Sequence, residues 1–286
     1  MHRPHPSFRP RALLAAVPVA GLVLMGTVGT ASAAHTPANS QAALRLAVQR
    51  LLAHWHPTNL AIKGVALKQV GSTNWSGYAD TGTGFSSVSA KWTQPKVTSC
   101  SMSGPLKAVV FWVGIDGFSS QSVEQGGTGA ICGQGQKLVY FTWWEVFPTN
   151  NIQFVGMTVK PGDKISASVV RKGTSYTIKV TDSTTKGNSL TKTAACKGVT
   201  GGCKNNSAEW IGERPSNGTT PLPLAKFSTW TVTAAAVKAG SKSGTIKSFP
   251  DDEITMFNKK GGHVLAKPGP LNSAGNSFKD VWKASS

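Results

Sequence analysis

Histidine is almost absent from the larger part of this chain. Five of its six histidines precede residue 57, and only His263 follows. A Ser-His-Asp or Cys-His mechanism would therefore depend on His263 alone, which lies in a glycine-rich segment typical of a surface loop. A three-histidine metal site is excluded there, and the chain has no GxSxG, HExxH or P-loop sequence. We expect neither a metal nor a cofactor.

Carboxylates are also scarce and unevenly placed. The chain has 12 acidic residues against 30 lysines and arginines, a net charge of +18, and all twelve acids lie after residue 70. Asp163, Asp182 and the run 251–253 adjoin turn-forming residues, so we expect them to be solvated. Three other carboxylates have aromatic or strand-forming neighbours instead: Asp116, Glu145 and Glu209. A buried carboxylate is unfavourable unless it is paired or serves a function.

Only one long apolar run is present, and it lies near the start of the chain. It follows Arg3, Arg9 and Arg11 and ends at the small residues Ala31-Ser32-Ala33. This pattern predicts a secretory signal peptide over residues 1–33 and a secreted, extracellular protein. No later stretch is apolar enough to cross a bilayer, so we expect no membrane span once the signal is removed.

Residues 34–70 differ in composition from the chain after residue 70, because they contain no acid. Leu44, Ala47, Leu51 and Trp55 recur at helical spacing and predict a short helix. We interpret this segment as a leader, either a propeptide, which we favour, or an N-terminal linker, followed by a single domain over residues 71–286.

The four cysteines point to disulfide bonds. An even count in a secreted chain is typical of paired cysteines. Cys196 and Cys203 flank a short flexible loop, which favours a local bridge and leaves Cys100 with Cys132. Other pairings remain open. The cysteine spacings do not suit zinc.

From about residue 74 the pattern is β throughout. Short alternating or aromatic-rich segments, separated by Gly, Pro, Asn and Ser, predict a sandwich or barrel of antiparallel strands. The segment 165–182 reads as a hairpin with a turn at Lys172-Gly173. Lysines recur within Ser/Thr-rich strands, and we expect them on the solvent side of a sheet.

Six segments, in order, resemble the glutamic peptidases, the eqolisin or G1 family of secreted acid endopeptidases. They are NWSGY at 74–78, VSAKWTQP at 88–95, WVGIDG at 112–117, EQGG at 124–127, TWWEVFP at 142–148 and NSAEWIGERP at 206–215. The resemblance covers residues 74 to 284. It implies an all-β, antiparallel β-sandwich of two sheets, similar to the concanavalin-like fold.

The resemblance also implies a catalytic pair. The family's glutamate lies in its AEWI motif, which corresponds to Glu209, and its glutamine corresponds to Gln125. Glu124 stands where the family usually has an apolar residue; since strand neighbours point to opposite faces, we expect it to face away from the site. The residues expected to line or support the site are Trp112, Asp116, Trp143 and Glu145. Asp116 and Glu145 are expected to hydrogen-bond around the pair.

The implied activity is hydrolysis of polypeptides in acid, with Glu209 as general base and Gln125 stabilising the oxyanion. We expect a monomer. The positive charge suggests attraction to anionic cell-surface polymers. Since the chain has no nucleic-acid-binding motif, nucleic acid is not the expected partner.

Two alternatives remain open. Glu145 and Glu209 could form the carboxylate pair of a glycoside hydrolase, for which Gln125 would be dispensable. Alternatively, the nine tryptophans and the basic surface could serve a non-catalytic carbohydrate- or wall-binding module.

Overall fold

The computed structural model describes residues 61–62, 69–217, 220–258 and 262–286. The predicted signal peptide and leader helix lie outside these residues. Within the described ranges the regular structure is β-strand apart from one 3₁₀ turn at Ile246–Ser248. The strands are β1 Ala61–Ile62, β2 Gln69–Ser72, β3 Trp75–Thr81, β4 Phe85–Thr93, β5 Val97–Thr98, β6 Lys107–Ile115, β7 Val123–Gly133, β8 Gln136–Phe147, β9 Asn150–Val155, β10 Lys164–Lys172, β11 Ser175–Asp182, β12 Ser189–Ala195, β13 Ser207–Glu213, β14 Ser216–Asn217, β15 Thr220–Pro221, β16 Lys226–Phe227, β17 Trp230–Ala239, β18 Lys242–Gly244, β19 Asp251–Phe257, β20 Val264–Pro268 and β21 Phe278–Trp282.

The strands form two layers, and the predicted all-β, antiparallel sandwich is confirmed. The first layer runs β9-β8-β7-β6-β13-β3-β19, and the second runs β12-β11-β10-β4-β17-β21-β20. Pairing of β19 with β20 joins the layers at one edge. The hairpin of β10 and β11 turns at residues 173–174, one residue later than the sequence predicted.

The main core fills the space between the layers. Strand alternation sends Val88, Ala90 and Trp92 inward from β4, towards Phe111 and Val113 of β6, and all five are buried. A second apolar cluster lies on the opposite face of the first layer and includes Trp112, Trp143 and Ile211. The first layer is therefore apolar on both faces, whereas the second layer turns a polar face outward.

Strand β2 spans the boundary predicted near residue 70. It pairs in parallel with β19, and antiparallel with the two-residue strand β1, which belongs to the predicted leader. The sheet thus includes at least residues 61–62 of the segment that we interpret as a propeptide.

Both disulfides that the sequence favoured are present, Cys100–Cys132 and Cys196–Cys203. The first connects the loop after β5 to the end of β7, and the second closes the loop between β12 and β13. Among the described residues, no helix has the length and apolar character needed to cross a lipid bilayer.

The prediction that Asp163 and Asp182 are solvated is wrong. Their exposed fractions are 2% and 1%. Asp163 pairs with Lys160 Nζ at 2.8 Å and accepts from the Lys160 amide. Asp182 accepts from the Thr184 amide and the Asn188 side chain. Both carboxylates stabilise turns by local hydrogen bonds, which is why turn sequences can bury them.

Candidate active site

The first layer places one row of chemically distinctive residues across adjacent strands. Glu209 on β13 is opposite Ala79 of β3 on one side and Gly114 of β6 on the other. Gly114 is in turn opposite Gln125 of β7, and Gln125 is opposite Glu145 of β8. Directly opposed residues share a face, so the predicted catalytic pair and Glu145 lie together on what we call the site face.

Glu209 is surrounded by the smallest side chains, since its cross-strand neighbours are alanine and glycine. It is fully buried, and neither carboxylate oxygen has a hydrogen-bond partner within the described ranges. Burial raises the pKa of Glu209 well above its ordinary value, and the nearby carboxylates of Asp116, Glu124 and Asp80 add to the rise. The Ser207 hydroxyl opposes the rise in the pKa of Glu209, more than any one of these carboxylates adds to it. An orphaned buried carboxyl of this kind is typical of a functional site.

Gln125 and Glu145 are joined directly. Gln125 Nε2 donates to Glu145 Oε2 at 2.8 Å, and both side chains are buried. Burial raises the pKa of Glu145 to about 8, against the opposing hydrogen bonds from Gln125 and the Ile152 amide. Glu145 is therefore neutral in acid and still offers a carbonyl oxygen to Gln125. The second N–H of the amide remains available for another acceptor.

The Trp112 ring lies close over Gly114, the residue that separates Glu209 from Gln125 in the row. A Cβ at residue 114 would lie 2.8 Å from Trp112 Cζ3 and 3.2 Å from Gln125 Cβ. Any side chain here would press on both neighbours. Glycine is thus required by close approach at this position.

Trp112 is held by a carboxylate that sequence reasoning missed. Its Nε1 donates to Glu213 Oε2 at 2.9 Å, and Asn74 Nδ2 donates to Glu213 Oε1 at 3.3 Å. Trp75 packs edge-on against Trp112 with ring centroids 4.9 Å apart. The signal was present in the sequence, because Glu213 lies four residues after Glu209 on the same strand and therefore on the same face.

Trp143 lies in the neighbouring row of the site face. It opposes Gly127, which opposes Trp112, and its Nε1 donates to the Thr128 carbonyl at 3.3 Å. A Cβ at Gly127 would lie 2.0 Å from the Phe111 carbonyl oxygen. The two tryptophans therefore flank a glycine, as Glu209 and Gln125 do.

Asp116 acts on a loop rather than on the pair. It has a positive φ of 67° in the turn after β6, a conformation uncommon for a residue other than glycine. Its carboxylate accepts from the amides of Asn205 and Asn206, each at 2.9 Å, and from Ser122 Oγ at 3.3 Å. The expected hydrogen bonds to Glu209 or Gln125 are replaced by this anchoring of the segment that leads into β13. Asp116 affects Glu209 through its charge.

Glu124 points into the space between the layers, as strand alternation predicts. It is opposite Ile115 and Val146, it is fully buried, and its oxygens lack partners among the described residues. Burial raises its pKa well above the ordinary value; Asp116 adds to the rise and Arg171 opposes it. Its close neighbours Cys196 and Cys203 are disulfide-bonded, so this group offers no thiolate to a metal.

Two more buried carboxyls were missed, Asp80 and Asp280. Burial raises the pKa of Asp80 to about 9, with Asp251 adding to the rise. Burial raises the pKa of Asp280 to about 7, although Asp280 accepts from Ser76 Oγ at 2.7 Å. Asp80 in NWSGYAD and Asp280 in FKDVW each point inward from a strand. Only the alternation of inward and outward residues along these segments could have indicated this.

The architecture is a β-sandwich in which buried carboxyl and amide groups lie together on the site face. Residues 73–270, more than half of the chain, match the Peptidase A4 family. The chain belongs to this family of glutamic peptidases, and it is a hydrolase of the glutamic endopeptidase type.

Named relatives support this classification. The chain is 28% identical to aspergillopepsin-2 of Aspergillus niger over 214 residues, which cover 68% of this chain and 73% of that protein. It is 30% identical to scytalidopepsin B of Scytalidium lignicola over 162 residues, covering 54% and 59%. The fold matches that of scytalido-glutamic peptidase crystallised with a peptide-based transition-state analogue, with a TM-score of 0.61 and 24% identity over 74% of this chain and 98% of that one.

Proposed function

We propose that the protein is a secreted acid endopeptidase in which Glu209 is the general base and Gln125 stabilises the oxyanion. The observation that carries the proposal is the position of these two side chains on one face, separated by a residue that has no side chain. A peptide carbonyl bound between them would have a carboxylate on one side and an amide donor on the other, and it would require the Trp112 ring over Gly114 to move aside.

The reaction follows from those two groups. Ionised Glu209 takes a proton from a water molecule, and the resulting hydroxide adds to the peptide carbonyl carbon. The carbonyl oxygen becomes an oxyanion, which accepts from the free N–H of Gln125. Glu209 then returns the proton to the peptide nitrogen, the C–N bond breaks, and the carboxylate is regenerated. No metal, cofactor or histidine takes part.

An acid working range follows from the surrounding carboxyls. In the closed site burial favours the protonated form of Glu209, so admission of water is needed before it can act as a base. Asp116, Glu124 and Asp80 raise the pKa of Glu209 when they are charged. Acid keeps these groups neutral and removes the repulsion, which grows as rising pH ionises them, for Asp80 only at about pH 9. The ionised base is therefore better tolerated in acid, when its neighbours are neutral.

The positions of Glu209 and Glu145 on the site face do not favour the glycoside hydrolase alternative. Glu209 and Glu145 are separated by two intervening strands, which places their backbones about 14 Å apart at ordinary strand spacing. Glycosidase carboxyls lie about 5–10 Å apart, so both side chains would have to extend towards each other along the row. Glu145 is also committed to Gln125, which that reaction would not need. The remaining alternative is an inactive, wall-binding relative.

The experiment is cleavage of an unfolded protein between pH 2 and pH 8 by the secreted protein and its variants. We expect activity confined to acid, with losses of about 10²-fold or more in Glu209→Gln and Gln125→Ala. Glu253→Gln, on β19, serves as the matched control and should retain activity. Activity that persists in Glu209→Gln would contradict the proposed base, and no cleavage by folded wild-type protein would favour the binding module.

Secretion, maturation and oligomeric state complete the proposal. We propose removal of residues 1–33 on export and of residues 34–70 on maturation, with a monomeric domain from residue 71. Disulfides support an oxidising, extracellular location. The excess of lysine supports retention near anionic surface polymers. Intact-mass measurement and N-terminal sequencing of secreted protein would test the two cleavages, and light scattering would test the monomer.

A further inference from the structure

The outer face of the second layer is rich in lysine and hydroxyl side chains. We define this lysine–hydroxyl face by the outward residues of β17, β4, β10, β11 and β12. Its lysines are Lys91, Lys164, Lys172, Lys179 and Lys238, and all five are exposed. They project from four of the five strands, so positive charge is spread over the face.

The lysines on this face lack acidic partners. Lys91 is opposite Ser166 and Thr233, and Lys179 is opposite Ser168 and Thr191. The five strands contain one carboxylate, Asp182, which is buried and accepts local hydrogen bonds. On an ordinary protein surface the two signs of charge are interspersed. Here each cation lies among hydroxyl groups, so its charge is available to a partner.

Two adjoining hollows open on the face and share Lys91. The first, of about 380 Å³, is lined by Lys91 and Lys179 together with serine and threonine side chains. The second, of about 410 Å³, is lined by Lys91 and Lys164 with further hydroxyl groups. Lys91 of β4 and Lys164 of β10 are diagonal cross-strand neighbours, a relationship that places the two residues' backbones about 7–8 Å apart. The hollows thus form a short series in which cations and hydroxyls alternate.

The composition of the face selects the kind of partner. A second copy would bring lysine against lysine, and residues 34–70 contain no acid that could cover it. Val170 is the large apolar side chain exposed on the face, at 46%, which is little anchorage for a protein interface. The strands turn no aromatic ring outward on which nucleic-acid bases could stack. The partner that fits this face is therefore a negatively charged molecule with many hydroxyl groups.

We propose that the lysine–hydroxyl face binds an acidic polysaccharide, with its anionic groups on Lys179, Lys91 and Lys164 in succession. The serine and threonine hydroxyls beside each lysine both donate to and accept from sugar hydroxyls. The face belongs to the layer opposite the one that carries Glu209, so binding leaves the site face open to a peptide. The proposal assigns the protein's attraction to anionic polymers to this one face, and it does not depend on the peptidase reaction.

The test measures binding of polygalacturonate to the full secreted protein by biolayer interferometry at pH 5 in 50 mM salt, with neutral dextran as the reference polymer. The face variant combines Lys91→Gln, Lys164→Gln and Lys179→Gln. The control combines Lys96→Gln, Lys204→Gln and Lys283→Gln, which removes the same charge from exposed positions outside the five strands. Melting temperature and cleavage of an unfolded protein verify folding and activity.

We expect the face variant to lose about tenfold in affinity, the control to lose less than twofold, and binding to weaken steeply with salt. If the triple variant fails to fold, Lys91→Gln alone should reduce affinity more than Lys96→Gln, since Lys91 lines both hollows. Equal losses in the two triple variants would mean that net charge alone attracts the polymer and would overturn the proposal. Absence of wild-type binding, or equally tight binding of a single-stranded oligonucleotide of the same charge, would also overturn it.

Discussion

Gln125 donates a hydrogen bond to Glu145 across adjacent strands, from Nε2 to Oε2 at 2.8 Å. The contact fixes the plane of the amide in a buried site, and so it fixes the direction of the N–H that we propose for the oxyanion. Glu145 is therefore a positioning residue, whose contribution passes through Gln125.

Glu145→Leu should lower kcat by about tenfold or more with a smaller change in KM, because the freed amide no longer points at the oxyanion. Glu145→Gln keeps an acceptor oxygen and should restore most of the activity. Steady-state kinetics on a short peptide at acid pH measures both. If Glu145→Gln were as impaired as Glu145→Leu, the proton of Glu145 rather than its geometry would be what matters.

Gly114→Ala should reduce activity strongly, because its Cβ would press on both Trp112 and Gln125. Overpacking of this kind costs about 1–3 kcal/mol in the free energy of unfolding. Gly262→Ala is the matched control, since a Cβ there would meet open space. Urea unfolding and peptide cleavage, measured on both variants, would show the effect. Full activity in Gly114→Ala would mean that the substrate does not bind over Gly114, between Glu209 and Gln125.

The bond between Trp112 Nε1 and Glu213 Oε2 can be measured by a double-mutant cycle. Trp112→Phe removes the donor, Glu213→Leu removes the acceptor, and the double variant removes both. We expect a coupling energy of about 1–3 kcal/mol in the free energy of unfolding, because Glu213→Leu removes the acceptor of the buried Trp112 N–H and Trp112→Phe removes one of the donors to Glu213. Additive effects would mean that the bond from Trp112 contributes nothing to holding Glu213.

Stability should fall as the pH rises from acid to alkaline. The pKa values of Asp280, Glu145 and Asp80 are raised by burial to about 7, 8 and 9, so the folded state binds more protons than the unfolded state above pH 4. Their stabilising effect is complete below the unfolded pKa and is lost between about pH 4 and pH 9. Urea unfolding of the inactive Glu209→Gln protein at several pH values measures the slope.

Asp80→Asn should flatten that slope, because among these three groups Asp80 has the pKa that burial raises furthest. Asp182→Asn provides a contrast of opposite sign. Desolvation acts to raise the pKa of Asp182, but hydrogen bonds from Asn188 and Thr184 outweigh it and lower that pKa. Its loss should therefore destabilise the protein at neutral pH and matter less in strong acid. A slope unchanged by Asp80→Asn would show that Asp80 is already ionised in the folded state.

The sequence predicted the fold class, the two disulfides and five residues of the site face, Trp112, Gln125, Trp143, Glu145 and Glu209, but it missed Glu213 and wrongly placed Asp116 beside the pair. The β pattern and the disulfides rest on local information, namely alternation within a strand and cysteine spacing, whereas the two-sheet sandwich and the site residues were implied by the resemblance to the glutamic peptidases. Glu124 facing away from Gln125 follows from the same alternation. The burial of Asp163 and Asp182 was missed because a turn sequence gives no indication of which local donors its carboxylate will accept from.

Pairing between distant strands could be known only from the tertiary structure. The chain itself determined that Glu209, Ile211 and Glu213 share a face of β13. Folding decided that Ala79 and Gly114 lie beside Glu209, that Glu145 reaches Gln125, and that Asp116 holds the loop at Asn205 instead of the pair. Side-chain direction within a strand has a period of two residues, whereas cross-strand register depends on contacts among residues that lie up to 184 positions apart here, as for Glu253 and Gln69.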